Sequence, residues 1–357
     1  VKVAVLGSGG FIGRALIQKT PNIEWIAIQR SQPSAEVRDF CEWRSCDLLD
    51  PVQAEISLAG VDVAVYLVHS MAPTGIELQG GFEDIDALIA LNIAEAARRQ
   101  GVRKLIYLGG LIPQKQKLSK HLESRLEVEK ILQTSGCPLI SLRAGLVIGA
   151  FGSSFELMSK LVQRLPVMLC PSWTNSMTEV VALEDVVCII KECLQLNVTE
   201  HQTYDLGNEE PISYRNLMRV TAEALGVKRH FFSVALFAPG LSVLWVSLIT
   251  NASRSLVRPL VQSLREDMLP RAHFRYPLKN RPIGLQQALK NSIAIRRSSP
   301  NTTTPKPRAK VPLFGYQTRI VNRLPFIASM NEVDTGRTYF KWLGTFLPGI
   351  IRVQNVS

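Results

Sequence analysis

The residues best suited to chemistry open the chain. Gly7, Gly10 and Gly13 stand three apart in "VAVLGSGGFIG", directly after an apolar run. A dinucleotide pyrophosphate is anionic and must be met by N–H groups. A helix N-terminus offers unpaired N–H groups and a partial positive charge. Glycine alone lets the chain turn sharply after a strand and approach a phosphate closely. Gly7, Ser8, Gly10, Phe11, Ile12, Gly13 and Arg14 therefore read as a nucleotide cradle. Gly13 lets the helix pack tightly on the strand. The strand–turn–helix context separates this motif from a chance glycine triplet.

Two further stretches bear on the nucleotide. The second strand ends Ile28-Gln29-Arg30-Ser31. An acid there would grip a ribose 2′-hydroxyl and repel a 2′-phosphate, whereas Arg30 and Ser31 could bind one, helped by Arg14 at the helix start. This favours NADP, with NAD as the alternative; the bland reading makes Arg30 a solvated loop residue. In "CDLLDP", Asp47 could accept from the adenine amino group, with Leu48 against the ring.

These residues need a scaffold, and the patterning supplies one. A chain of 357 residues, 46% hydrophobic and 20% charged, can bury a sizeable core and is not wholesale disordered. Strand and helix patterns alternate. Lys2–Leu6 reads as a strand, Phe11–Lys19 as a helix and 23–29 as a strand. The apolar run 61–68 reads as a strand buried on both faces. Helix 86–102, strand Lys104–Gly110, helix 121–136 and, over 138–149, a strand running into a turn follow, and Asp185 reads as a helix cap. The expected fold class is α/β, a parallel sheet wrapped by helices, followed by a basic tail. The expected units are 1–205 for nucleotide binding, 206–295 for the smaller subdomain, 296–312 as linker and 313–357 as a basic, apolar-aromatic extension.

Charge divides the chain. The net charge is +11, yet residues 251–357 carry eighteen Lys and Arg against four Asp and Glu, while the first 250 carry 23 against 26. A basic back half suits an anionic membrane surface or nucleic acid, or is simply a basic surface. Nucleic acid is disfavoured, since no helix-turn-helix, zinc or RNA-binding signature is present. Residues 231–250 lack charge over a length that can span a bilayer. Pro239-Gly240 at their centre favours a buried helix pair, then an interfacial segment, then a span. "RRSSPNTTTPKPRAK" reads as an exposed linker, and "YFKWLGTFLPGIIRV" could lie on a membrane or pack on the body. The six cysteines form no CxxC pair, which suits buried thiols in a reducing compartment. No metal site, Ser/His/Asp triad or HExxH motif is expected. No secretion leader is read, so the expected location is cytoplasmic, with peripheral contact at the inner membrane surface left open.

The motifs "GSGGFIG", "CDLLDP", "VDVAVYLVHSM", "AEAARRQGVRKLIYLGG", "RAGLVIG" and "YDLGNEEPISYRNL" appear in an order that resembles the short-chain dehydrogenase/reductases. The resemblance is to their extended and atypical branch of epimerase/dehydratase-like and NmrA-like proteins, related to the NADPH-holding accessory subunit of respiratory complex I. It covers roughly residues 1–295. It implies an α/β Rossmann doubly wound parallel sheet with a smaller, partly interleaved C-terminal subdomain over the active-site cleft, ahead of the basic tail. It also implies that Leu67, Val68 and His69, after the fourth strand, line the cofactor.

The departures from that family are equally informative. Active members use a helical Tyr-x-x-x-Lys pair and a Ser just after the preceding strand. Here Gly109 and Gly110 stand where the Ser would be, and His121 and Arg125 take the Tyr and Lys spacing. Residues four apart share a helix face, so both could point at the cofactor. Arg125 could contact ribose or phosphate, and His121 could move a proton near neutral pH. The bland reading makes His121 a polar residue at a helix start. Tyr107 reads as core, and His69 and Ser70 at the lip of the fourth strand are at least as well placed to meet a substrate, the bland reading for them being cofactor lining only. Two functions follow: an NADP-dependent oxidoreductase or epimerase-like enzyme acting on an unidentified small molecule, or a non-catalytic NADPH-binding redox sensor or structural subunit.

Overall fold

A computed structural model of the chain describes residues 1–69, 82–113, 118–234 and 266–298. Thirteen strands are described: β1 (Lys2–Leu6), β2 (Glu24–Gln29), β3 (Cys41–Ser45), β4 (Val63–Tyr66), β5 (Lys104–Gly110), β6 (Leu139–Ala144), β7 (Leu146–Ile148), β8 (Val167–Pro171), β9 (Met177–Thr178), β10 (Val180–Ala182), β11 (Gln202–Leu206), β12 (Ile212–Ser213) and β13 (His230–Val234). The helices are α1 (Phe11–Lys19), α2 (Ala35–Arg38), α3 (Pro51–Ser57), α4 (Phe82–Gln100), α5 (Lys120–Leu132), α6 (Ser153–Arg164), α7 (Leu183–Gln195), α8 (Tyr214–Leu225) and α9 (Leu285–Ser298).

Seven strands form one sheet in the order β11-β6-β5-β4-β1-β2-β3, every neighbouring pair parallel. This is the Rossmann-type arrangement expected. Parallel sheets are covered on both faces, and β4 and β6 are accordingly buried at every residue. Alternate residues serve opposite layers. Val3 and Val5 pack with Leu16 and Ile17 of α1 and Val186 and Ile190 of α7. Ala4 and Leu6 pack on the other face, with Ala54 of α3, Ile93 of α4 and Ile131 of α5. A second layer joins β7 to β10, β8 to β13 and β9 to β12, and α6, α8 and α9 close around it. Buried ion pairs stitch the parts together. Arg143 meets Glu129 at 2.7 Å, Arg271 meets Asp205 at 2.8 Å and Arg275 meets Glu179 at 2.8 Å.

Several boundaries differ from the sequence reading, each for a local reason. The strand expected to run into a turn over 138–149 is β6, which ends at Ala144; past Gly145 the chain goes on as a further short strand, β7, which pairs with β10 outside the main sheet. The fourth strand is shorter than 61–68. The α5 helix ends at Leu132 in a 3₁₀ turn, and Gly136 turns the chain in the left-handed region at φ +80°. Asp185 is not a cap: Ala182 is the N-cap of α7, and Asp185 Oδ2 accepts from the Ile283 N–H at 2.9 Å. The α9 helix continues to Ser298, three residues into the expected linker. The first residues of the apolar stretch 231–250 form β13, paired with β8, rather than opening a helix. The rest of that stretch, the linker beyond 298, the extension 313–357 and Ser70 lie outside the described residues, as does the expected membrane contact of the extension. Among the described residues no helix is long and apolar enough to cross a membrane.

Candidate functional site

The glycine loop is shaped by contacts that only glycine tolerates. Gly7 has φ +86°, and a Cβ there would lie 3.0 Å from the Leu67 carbonyl oxygen. A Cβ on Gly13 would lie 2.7 Å from the Gly7 oxygen and from the Ser8 Cα, so α1 can seat on the loop only without one. Gly10 is the N-cap of α1 and brings no side chain to cap it, and the first turn holds no acid. A helix start with no side-chain cap and no acid in its first turn suits an anionic ligand.

The loop forms one wall of a cleft of about 580 Å³. Gly7, Ser8, Gly10 and Arg14 line it from the loop. Arg30 and Ser31 line it beyond β2, Asp47 and Leu48 beyond β3, and Val68 and His69 beyond β4. All lie past the C-terminal ends of parallel strands, where ligands of this fold class bind. The remaining expected contacts stand outside the lining. Phe11 packs against Gly149 and Gly152. Ile12 and Leu67 join the core beneath, and Gly13 is the packing residue behind the loop.

At the end of β2 stands Gln29, a neutral side chain tied in place. Ser8 Oγ donates to its Oε1 at 3.1 Å, and its Nε2 donates to the Ser31 carbonyl at 2.6 Å. Arg30 is exposed beside it. Asp47 Oδ1 accepts from the Leu49 N–H at 3.1 Å, closing a turn two residues on.

Beyond His69 the structure assembles a buried polar cluster. His69 Nδ1 lies 3.2 Å from Asp86 Oδ2. The same oxygen accepts from the guanidinium of Arg125 and, at 3.5 Å, from Ser124 Oγ. Arg125 also donates to the Val68 carbonyl at 3.3 Å, and Tyr107 Oη donates to the Arg125 carbonyl at 3.0 Å. His121 packs on His69 with ring centroids 5.0 Å apart, and its Nδ1 is buried without a hydrogen-bond partner among the described residues. The Tyr66 hydroxyl is buried in the same way.

Burial sets the electrostatics. Desolvation, helped by the Arg125 charge, pushes His69 down to about 4 against the opposing pull of Asp86. Desolvation, helped by His69 and Arg125, pushes His121 down to about 3. Both imidazoles are neutral at pH 7. Burial also raises the Tyr107 phenol to about 12 and Tyr66 well above its ordinary value.

His121 and Arg125 do share a helix face, but that face looks into the protein. Arg125, expected on ribose or phosphate, commits its guanidinium to Asp86 and stands outside the cleft lining. The missing serine also has a steric cause. A Cβ on Gly109 would fall 2.7 Å from Cε1 of the buried Tyr107 ring, which fills that space. The sequence reading missed Asp86 altogether. A signal was present: Asp86 lies in register with Ala90, Ile93 and Ala97, the buried stripe of α4, and an acid in such a stripe needs a partner.

The chain can now be set beside known proteins. The NAD dependent epimerase/dehydratase family profile matches residues 3–207. The auxiliary protein GraX of Staphylococcus aureus (strain NCTC 8325 / PS 47) is 27% identical over 111 residues, which is 30% of this chain and 36% of GraX. The match therefore spans little more than a third of that relative. MoeE5, solved in complex with UDP-glucuronic acid and NAD, aligns with a TM-score of 0.65 at 15% identity, covering 84% of this chain and all of MoeE5. The triphenylmethane reductase of Citrobacter sp., solved with NADP(H), aligns with a TM-score of 0.62 at 17% identity, covering 82% of this chain and all of the reductase. At these identities the structural likeness is one of fold.

Proposed function

The chain belongs to the NAD dependent epimerase/dehydratase family as an atypical, NAD(P)-binding short-chain dehydrogenase/reductase, and on that premise we propose that it is an NADP(H)-dependent oxidoreductase. Its substrate is a carbonyl compound, or the matching carbinol, held at the His69 end of the cleft. One observation carries the reading: a single cleft runs from an uncapped glycine loop to His69 past Gln29 and Arg30, with no acid at the end of β2.

The residues suit a dinucleotide. Gly7, Gly10 and the first turn of α1 would hold the pyrophosphate, with Arg14 beside them. Neutral Gln29 would not repel a 2′-phosphate, and Arg30 and Ser31 would bind it. Asp47 and Leu48 would flank the adenine, and Val68 and His69 the far end. The bound cofactor supplies or accepts hydride. The related folds solved with NAD and with NADP(H) support the cofactor class, while the choice of NADP rests on Gln29, Arg30 and Ser31.

The test is to give the purified protein NADPH and a panel of aldehydes, ketones and quinones while following nicotinamide absorbance. Oxidation with at least one class is expected. Tight NADPH with no turnover across the panel would sink the enzyme reading and leave a protein that only holds its cofactor.

A further inference from the structure

We propose that His69, held through Nδ1 by Asp86, is the residue that gives and takes the substrate proton in this cleft, and that His121 acts only as its packing partner. The inference rests on the oxidoreductase reading above and names the group that replaces the lost tyrosine.

The geometry separates the two histidines. Within the buried cluster, His69 alone belongs to the cleft lining; Asp86, His121 and Arg125 stand behind it. Its side chain is 28% exposed, whereas that of Asp86 is 0% exposed. A buried carboxylate can only accept, so the contact with Asp86 makes Nδ1 the protonated nitrogen. Nε2 is left as the ring's acceptor. This is the division of labour by which an acid orients a catalytic imidazole in other enzymes. Among the described residues His121 has no such orienting partner, because its Nδ1 is buried with none there.

The charges around His69 are balanced by construction. Asp86 faces it from α4, Arg125 and His121 face it from α5, and Tyr66 of β4 lies against the Asp86–Arg125 pair. Arg125 offsets Asp86, and burial, ahead of the Arg125 charge, holds the imidazole neutral. The anionic phosphates of a dinucleotide in the adjoining cleft act in the opposite sense and favour the imidazolium.

The step balances as follows. In the oxidising direction the carbinol O–H bond breaks and its proton passes to Nε2, making an imidazolium. The carbinol C–H bond breaks with its electron pair as hydride, which goes to an oxidised nicotinamide, and the C=O bond forms. The carbinol is oxidised, the nicotinamide is reduced and the imidazolium releases its proton to water. Carbonyl reduction reverses each transfer.

Two measurements on the full chain decide the matter. The protein has five histidines, so imidazole NMR signals can be assigned with His69→Gln. The expected His69 signal is the Nδ1-protonated tautomer, with a titration midpoint that rises by more than about one pH unit when NADPH binds. In steady-state kinetics His69→Gln is expected to lower kcat by ~100-fold or more while the NADPH KM changes far less. An Nε2-protonated ring, a midpoint unmoved by NADPH, or a loss confined to KM with kcat kept would overturn the role of His69. Those results leave the oxidoreductase reading standing if the wild type still turns over. NADPH binding without wild-type turnover on any carbonyl overturns both.

Discussion

At the glycine loop the cleft is built from backbone and from missing side chains; at His69 it is built from side chains that four elements bring together. Gly7 and Gly13 act through the space they leave, and the charge they would meet arrives with the ligand. His69, Asp86, Arg125 and His121 act through side chains packed on one another, where the Asp86 and Arg125 charges meet within the protein itself. The loop should therefore tolerate loss of ligand and fail when a Cβ is added. The cluster should fail when any one charge is removed.

The largest effect is expected at Asp86. Asp86→Ala leaves the buried Arg125 charge unpaired and should cost about 3–5 kcal/mol, read as a lowered denaturant midpoint. A cost under about 1 kcal/mol would mean that the pair is not buried as described. Next comes Gly13→Ala, whose Cβ would meet the loop backbone at 2.7 Å. Dinucleotide affinity should fall by about 100-fold, with a stability loss of roughly 1–3 kcal/mol from overpacking. Affinity unchanged in titration calorimetry would break the contrast, since the loop would then not need its glycine.

Acid should then strike the cluster and spare the loop. His69 and His121 fold with pKa values of about 4 and about 3, below the ~6.5 of a free imidazole. Above pH ~6.5 both are neutral folded or unfolded, and their contribution is fully present. As pH falls below ~6.5 the unfolded chain takes up protons that the native protein refuses. Stability should therefore drop toward about 4 for His69 and about 3 for His121, with the larger share from His121, because His69 opens onto the cleft and solvent screens its charge. Denaturant midpoints across this window should flatten in a His69→Gln/His121→Gln double variant, and an equal slope in the variant would rule the pair out as the cause. The smallest effect belongs to the rim. Arg30→Asp should shift the NADPH-to-NADH affinity ratio toward NADH by roughly tenfold, about 1.4 kcal/mol; an unchanged ratio would remove Arg30 from 2′-phosphate recognition.

This contrast also governs what the sequence makes legible. The glycine loop, β1, α1 and β5 are specified by adjacent residues, through an apolar run, a glycine spacing and a helix period. Each could be placed from local pattern alone. The cluster could not. Asp86 is seventeen residues from His69 and thirty-nine from Arg125, and only packing of α4 and α5 against β4 and β5 brings them together. Pattern placed Arg125 and His121 on one helix face correctly but could not say what that face meets. The short strand β7 past Gly145 was invisible for the same reason. It depends on β7 finding β10, more than thirty residues downstream.

The central claim is that this cleft binds NADP(H), and equilibrium titration of the purified full chain with NADPH and, separately, NADH tests it most directly. The account predicts saturable binding at one site per chain, tighter for NADPH than for NADH, and lost in Gly13→Ala. Binding that fails to saturate, or that survives unchanged in Gly13→Ala, would contradict it.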